Sequence, residues 1–578
     1  MSRAPRRSRL PDALSPVLLL GAGAGEATCG ILYLAGYLRR HGIEASVRLF
    51  DDDVTPAEVR RSLSRLMDHV RPRLVGLSLK WFHHLARARL VAEALKSIDP
   101  EVQVVLGGNS AAWWWKELAQ WACVDQVVLG DGEEPLLALC RGVKDAPNVV
   151  ARGPDGSPRR SPLRYVQGPE SSDSYYSHFD ELFLSGLDAH SFSGWIAPGK
   201  GCSENCLYCG GTRGVQQASF GRPTAFLRPE ESVQKDHREV APRTWQLRYD
   251  FQGSSAAYLE RAWGGVDLSK HSATYFLWGV PPPGLIEKLA SAFARVFLVL
   301  DIGCFSESQR LEQMKRGLLK PCPTDAQLAS VIAECRRYAN LELEVSGIAG
   351  LPFASLATLD EERRHVEAVL EAGCVVGYQR LEAQPGALVT EHPARFGMTT
   401  EARTFDEFLA YFSAQEPGDG RVPMVRFSDA TLEAAVARTA VALEALAGAR
   451  RDAKATRALS GRTRLESTAP MTKVVRLGDW LGAWQVPAKL REAPVTVVRS
   501  VDGHGLTCAP SVAPGRLPHA HLQAGDEGAA VLAVLGVFSQ PTTVDAAVAE
   551  LRAKARLPPA AARDLIEHLT AGRFLEPA

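Results

Sequence analysis

Twice along this chain, short apolar runs alternate with amphipathic segments, and that rhythm restricts the fold to α/β architectures built on parallel sheets. The first series predicts strands at 17–20, 45–50, 74–79, 102–106 and 126–129, a small doubly wound, Rossmann-like domain with helices on both faces. The second runs from about Ser191 to about Phe412 at the spacing of a (βα)-repeat barrel, with strands at 195–197, 247–251, 274–278, 296–300, 341–345 and 375–381. Ligands of such sheets sit where strands end. This draws attention to residues 21–25, 78–84, 107–110 and 130–134, and in the second series to 252–255, 301–306 and 346–352.

At 578 residues the chain is too long for one core. We divide it into a first domain at 1–150, a linker at 151–190, a barrel at 191–425, a helical and irregular extension at 426–520, and a small module at 521–578. Acidic and basic residues cancel at 66 each, so no global field recruits nucleic acid or a membrane surface. No stretch approaches the length of a membrane span. The basic start leads into an apolar run that reads as a strand and a Gly-rich turn, not a signal-peptide core. Of eleven cysteines, three cluster and the others are scattered without pairing, which suits a reducing, cytoplasmic interior.

The clustered three are Cys202, Cys206 and Cys209, spaced C-x3-C-x2-C and followed by Gly210 and Gly211. Thiolates this close cannot all pair as disulfides, and an odd number in one loop is what a soft metal centre needs. A structural zinc usually takes four protein ligands, often as two pairs. No second Cys or His pair lies nearby, since the next cysteine is Cys304. A four-iron cube held by three cysteines keeps one iron free to bind something else, so a site with this ligand count suits chemistry at the cluster.

This segment resembles the signature of the radical S-adenosylmethionine (SAM) superfamily. The resemblance implies a partial (βα)6 TIM-type barrel and a [4Fe-4S] cluster on Cys202, Cys206 and Cys209, which serve as metal ligands and catalytic centre. It implies SAM bound to the open iron and cleaved reductively to methionine and a 5′-deoxyadenosyl radical, with an electron from a donor such as flavodoxin or ferredoxin. SAM contacts are implied for Tyr208, Gly210 and Gly211 beside the cluster, for Gln252, for Asp301 and Ser306, and for Gly347 and Gly350 in the strand beside the adenine. After the second strand the superfamily usually carries Gly-Gly-Glu; here Asp250, Gln252 and Gly253 stand without a glutamate. Arg213, Arg222 and Arg228 are read either as binders of an anionic substrate or the SAM carboxylate, or as members of ordinary salt bridges.

The first domain resembles the cobalamin (B12)-binding domain that precedes the barrel in one large subfamily, on residues 30–42, the Leu106-Gly107-Gly108 turn and residues 130–135. The resemblance implies cobalamin beside Ser78, Gly107, Gly108 and Gly130. The Asp-x-His-x-x-Gly motif that supplies a histidine to cobalt in some such domains is missing, which leaves any lower ligand unassigned. Trp81, Trp113, Trp114, Trp115 and Trp121, five of eleven tryptophans, fall here. They suit either a cover for a flat macrocycle or substrate, or the contact between domains.

Residues 429–460 have helical periodicity, and 460–520 read as irregular. Helices at 527–535, 544–553 and 560–571 with a terminal strand at 572–575 resemble winged-helix modules, including those that hold precursor peptides for radical SAM enzymes. No basic recognition helix argues for DNA. The expected function is cobalamin-dependent methylation of an unactivated carbon of a natural product, lipid or peptide. The alternatives are a cobalamin-independent rearrangement, oxidation or cyclisation, and a non-catalytic cluster-bearing sensor whose C-terminal module binds a partner.

Overall fold

The computed structural model describes residues 16–21, 29–50, 55–173, 194–241, 246–249, 255–416 and 419–460, then 470–472, 495–499, 506–509, 519–522, 533–534, 537, 542–555, 557–571 and 576–577. The predicted turn at 22–25, Gln252 with its neighbours 250–254, and most of the predicted helix 527–535 lie outside them.

The first sheet contains β1 (Val17–Gly21), β2 (Ala45–Leu49), β3 (Leu74–Ser78), β4 (Gln103–Gly107), β5 (Gln126–Val128), β6 (Val149–Arg152) and β7 (Pro158–Arg160), in the spatial order β2-β1-β3-β4-β5-β6-β7. All five predicted strands are present and pair in parallel. Helices α1 (Cys29–Arg40), α2 (Pro56–Val70), α3 (Leu85–Ile98), α4 (Asn109–Trp113), α5 (Trp115–Leu118) and α6 (Glu133–Cys140) connect them. The strand order reverses between β1 and β3, the switch point at which doubly wound sheets hold ligands. The edge hairpin β6 and β7 is antiparallel and was not foreseen, because its second strand, Pro158-Arg-Arg160, is polar and largely exposed.

The second sheet runs β8 (Gly194–Ile196), then β11 (Gln246–Tyr249), β12 (Ser272–Trp278), β13 (Arg295–Asp301), β14 (Leu341–Ala349) and β15 (Val375–Arg380), each parallel to its neighbour. These are the six expected strands of a partial barrel. A short antiparallel ladder of β9 (Gly199–Lys200) and β10 (Phe226–Leu227) frames the loop after β8. Helices α7 (Arg213–Phe220), α8 (Glu230–Val240), α9 (Ala256–Trp263), α10 (Leu285–Ala292), α11 (Glu307–Lys315), α12 (Asp325–Cys335) and α13 (Leu356–Glu371) follow the strands. Side-chain caps start several of them: Thr212 accepts from Val215 N and Thr324 from Gln327 N. Helix α14 (Leu388–Glu391), the hairpin β16 (Met398–Thr400) and β17 (Val425–Phe427), α15 (Phe405–Ser413) and α16 (Ala430–Ser460) close the barrel region.

The two units are packed into continuous apolar clusters, one of which joins Leu18, Leu20 and Trp114 of the first to Phe405, Phe408 and Val436 of the second. Beyond α16, three strands, Val495–Arg499, Leu506–Ala509 and His519–Leu522, form an antiparallel sheet inside the stretch read as irregular. Its β-branched run Val495-Thr-Val-Val498 was masked by flanking Pro and Gly. Helices Val544–Ala555 and Pro559–Ala571 match expectation, and Glu576–Pro577 pairs with Pro470–Thr472, so the terminal module recruits a strand from before residue 520.

Inside the barrel wall, His237 is fully buried: its Nδ1–H donates to Val233 O at 2.9 Å and Nε2 accepts from the Tyr249 hydroxyl at 2.8 Å. Burial pushes its imidazole down to about 4. The unfolded chain titrates near 6.5, so the neutral buried ring contributes stability above that pH, and the contribution falls away as pH drops toward 4, by on the order of 3 kcal/mol. The stability gap between wild type and His237→Phe should therefore shrink from pH 7 to pH 4 in denaturant titrations. A gap that stays constant contradicts the assignment.

Candidate active site

The cysteine loop begins where β9 ends. Gly201 turns it with φ 94°, and a Cβ there would lie 2.8 Å from Ala225 Cα, so the opposing ladder leaves room for glycine alone. Each sulfur then accepts a backbone N–H: Cys202 from Glu204 at 3.4 Å, Cys206 from Lys320 at 3.3 Å, and Cys209 from Gly211 at 3.2 Å. Such bonds to ligand sulfurs tune the potential of an iron–sulfur centre. The far side of the barrel pins the loop. Leu207 N donates to Leu318 O at 2.8 Å, Val389 N to Leu207 O at 3.0 Å, and Gly210 N to Gln384 Oε1 at 3.0 Å. A Cβ on Gly210 would meet Pro385 O at 2.4 Å, whereas one on Gly211 would face Cys209 Sγ at 3.7 Å.

Burial raises all three thiols, Cys209 to about 11, so forming thiolates here goes with binding a cation and releasing protons. A single tetrahedral zinc, with Zn–S near 2.3 Å, needs sulfurs within about 3.8 Å of one another. The three sulfurs are not gathered within 4.8 Å; among the described residues the set that is, Asp325, Glu361 and His365, is different. An all-thiolate donor set of three fits an iron–sulfur cube. Asp325, Glu361 and His365 are engaged with the chain itself: Glu361 accepts from Ser306 and Ser308, Asp325 pairs with Arg310, and His365 bonds Phe305 O.

Lys320 is the residue that sequence reasoning missed. It is 4% exposed, and its Nζ reaches the Tyr208 hydroxyl at 2.8 Å and Asp301 Oδ2 at 3.1 Å. Burial alone would lower its pKa, but Asp301, Tyr208, Cys322 and Cys206 push it well above its ordinary value. A permanent ammonium thus links Tyr208 to Asp301 directly behind Cys206. Asp301 also accepts from Gly303 N at 2.8 Å.

Three other residues expected at SAM also make contacts within the chain. Ser306 is buried, caps α11 by accepting from Gln309 N, and donates to Glu361 at 2.7 Å. The Phe305 ring packs against Gly347, 2.7 Å from a Cβ built there, so this strand leaves no room for a side chain at that position. Gly350 has φ 80° and packs toward Val436 of α16, which is turn geometry and helix packing.

At the switch point of the first sheet, Ser78, Gly107, Gly108 and Gly130 line one cavity of about 240 Å³, together with Gly30 and Leu34 of α1, Gly76, Lys80, Asn109, Glu133 and Lys200. Four sites chosen from three strand ends thus converge. Gly108 has φ 107°, and a Cβ there would lie 2.8 Å from the Leu79 carbonyl, so backbone forms this wall. Lys200 belongs to the barrel. Its Nζ pairs with Glu133 at 3.1 Å and Asp131 at 3.5 Å, and Arg222 also pairs with Asp131. Burial would raise the Asp131 carboxyl, but Lys200, Arg222 and the Gln167 N–H hold it below its usual value. The cavity and the cluster loop are therefore tied by charge.

Residues 17–140 match the family model of the B12 binding domain. The structure is similar to TsrM from Kitasatospora setae, a radical S-adenosylmethionine methyltransferase solved with cobalamin and a [4Fe-4S] cluster: TM-score 0.57, 16% identity, covering 74% of this chain and 90% of that one. The chain has the TsrM fold. The same enzyme with tryptophan substrate and the SAM analogue aza-SAM matches at TM-score 0.56 and 16% identity, over 74% of this chain and 88% of that one. No curated protein matches by sequence.

Within the TsrM fold, the open alternatives for aromatic and basic residues resolve toward packing. Trp114 meets Phe405 edge-to-face and Phe408 at a tilt, Trp121 meets Phe405 at a tilt, and Trp113 abuts Gly386, so these three build the contact between the units. Trp81 instead lies 5.2 Å from the Lys80 ammonium, which also faces Trp195 of β8 at 5.6 Å. Trp115 lies beside Lys116 and Arg160. Arg222 pairs with Asp131, and Arg228 is fully buried on Asp236 at 2.7 Å, so both take part in ion pairs within the fold. Arg213 is exposed at the start of α7. No helix among the described residues is long and apolar enough to cross a membrane.

Proposed function

We propose that this protein is a cobalamin-dependent radical SAM enzyme that transfers a methyl group to a carbon of a small molecule or peptide. One observation carries the reading: Lys200, two residues before Cys202, lines the same cavity as Ser78, Gly107, Gly108 and Gly130. A three-cysteine cluster loop and a B12-type cavity are thus neighbours in one fold. Cys202, Cys206 and Cys209 would hold the cluster and the strand ends of the first sheet the cobalamin; together with SAM these groups supply one-electron cleavage and methyl carriage.

The chain's own residues set the stage for that chemistry. Three backbone N–H groups fix the sulfurs, and the three-ligand count leaves one iron for the amino and carboxylate groups of SAM. Lys320 holds the Tyr208 ring at the cluster's edge and fixes its hydroxyl as an acceptor. That TsrM was solved with tryptophan as substrate supports a small-molecule substrate for this chain. The cluster would take its electron from a flavodoxin- or ferredoxin-type donor in the cytoplasm. Anaerobic reconstitution is expected to give about four irons per chain, cobalamin absorbance in protein from cobalamin-fed cells, and cleavage of SAM. Iron and SAM cleavage without cobalamin would favour the cobalamin-independent alternative instead.

A further inference from the structure

Glu133 stands at the joint between the two sites. It opens α6 and is 3% exposed. Its two oxygens have different surroundings. Oε1 accepts from Lys200 Nζ at 3.1 Å, while Oε2 is buried with no hydrogen-bond partner among the described residues. A buried carboxylate oxygen left unpaired costs more than an ordinary hydrogen bond gains, so such an atom on a residue that lines the cavity calls for a donor from whatever fills it. The rest of the wall sets the donor's chemistry. It is apolar at Leu19, Ile31, Leu34 and Leu136, stripped to backbone at the glycines, polar at Ser78 and Asn109, and charged at Lys80 and at the Asp131–Lys200 pair. That combination suits a large amphipathic ligand edged with hydroxyls and carboxamides.

We propose that Glu133 is a positioning residue that reads the cavity with one oxygen and the cluster loop with the other. Resting on the cobalamin reading above, Oε2 accepts a hydrogen bond from a hydroxyl or carboxamide of bound cobalamin, and Oε1 holds Lys200, which leads through Gly201 into Cys202. Filling the cavity orders the carboxylate, and the ordered carboxylate fixes the loop. Linkage makes the effect reciprocal: cobalamin holds the cluster more firmly, and an intact loop binds cobalamin more tightly. Asp131 does not substitute for Glu133, because Arg222, the Gln167 N–H and Lys200 already occupy its oxygens.

The test uses the full chain with its cluster reconstituted. Hydroxocobalamin affinity is measured by equilibrium dialysis, and iron release to a ferrous chelator is timed with and without saturating hydroxocobalamin. The wild type is expected to bind cobalamin and to release iron several-fold more slowly when it is bound. Glu133→Gln, near-isosteric and checked by its thermal midpoint, should weaken binding about tenfold and lose the protection. Lys200→Gln should lose the protection too, although Glu133 is intact. Wild-type affinity and protection in Glu133→Gln overturn the proposal and leave the cobalamin reading standing. Protection that survives in Lys200→Gln overturns the coupling. A wild type that binds no cobalamin overturns both proposals.

Discussion

Replacing Cys206 by alanine is expected to reduce iron from about four per chain to near zero after reconstitution and to abolish SAM cleavage, because two cysteines do not hold a cube. Cys206 is the most deeply placed of the three, 7% exposed, with Leu207 and Tyr208 buried behind it and the Lys320 N–H on its sulfur. Loss of that ligand removes the loop's inner anchor. Cys335→Ala is the matched control: this buried cysteine sits on α12 among apolar side chains and should leave the iron content unchanged. Iron content and 5′-deoxyadenosine formation are the measurements. Full turnover by Cys206→Ala would remove the cluster from the account.

The second large effect concerns Arg228. Its guanidinium and the Asp236 carboxylate have no exposed side-chain surface, and the arginine also donates to Ala197 O at 2.9 Å, Asp173 O at 3.0 Å and Ser172 O at 3.1 Å. Its cation lies 5.5 Å from the centre of the Tyr33 ring, and that tyrosine's hydroxyl accepts from Ala197 N at 3.3 Å. One side chain thus ties α1 of the first domain to β8 and α8 of the barrel. Arg228→Met removes the cation from the buried Asp236 carboxylate, a change that typically costs 3–5 kcal/mol. The thermal midpoint of the transition that includes the barrel should fall by on the order of 10 °C. Removing both charges in Arg228→Met/Asp236→Leu should recover much of that loss, because a buried pair replaced by apolar groups is often neutral. A single variant as stable as wild type would show that the ion pair is not what joins the two units.

What the sequence made legible follows from the range of the forces involved. The strands were readable because parallel strands buried on both faces are continuous apolar runs, as in Val17-Leu-Leu-Leu20. The cysteine triplet was readable because all its ligands lie in one loop, and the wall residues Ser78, Gly107, Gly108 and Gly130 because strand ends are where such sheets bind. Contacts made at long separation were hidden. Lys320 lies 112 residues from Tyr208, and nothing in its local sequence announces the pairing. Gly347 was read as a gap for a cofactor ring, but only the folded barrel reveals that Phe305 packs against it. Arg222 and Arg228 were ambiguous for the same reason: a cation's partner is a tertiary fact, and both partners, Asp131 and Asp236, are buried.

The central claim is that one chain carries a methyl group from SAM to cobalamin beside its own cluster. Holoenzyme reconstituted with iron, sulfide and cobalamin, reduced anaerobically and given SAM labelled in its methyl group, tests it without an identified substrate. The account predicts label recovered with the protein-bound cobalamin, up to about one per cobalamin, and none in protein carrying Cys206→Ala. Label that stays in SAM, or equal labelling of cobalamin in protein carrying Cys206→Ala, would contradict it.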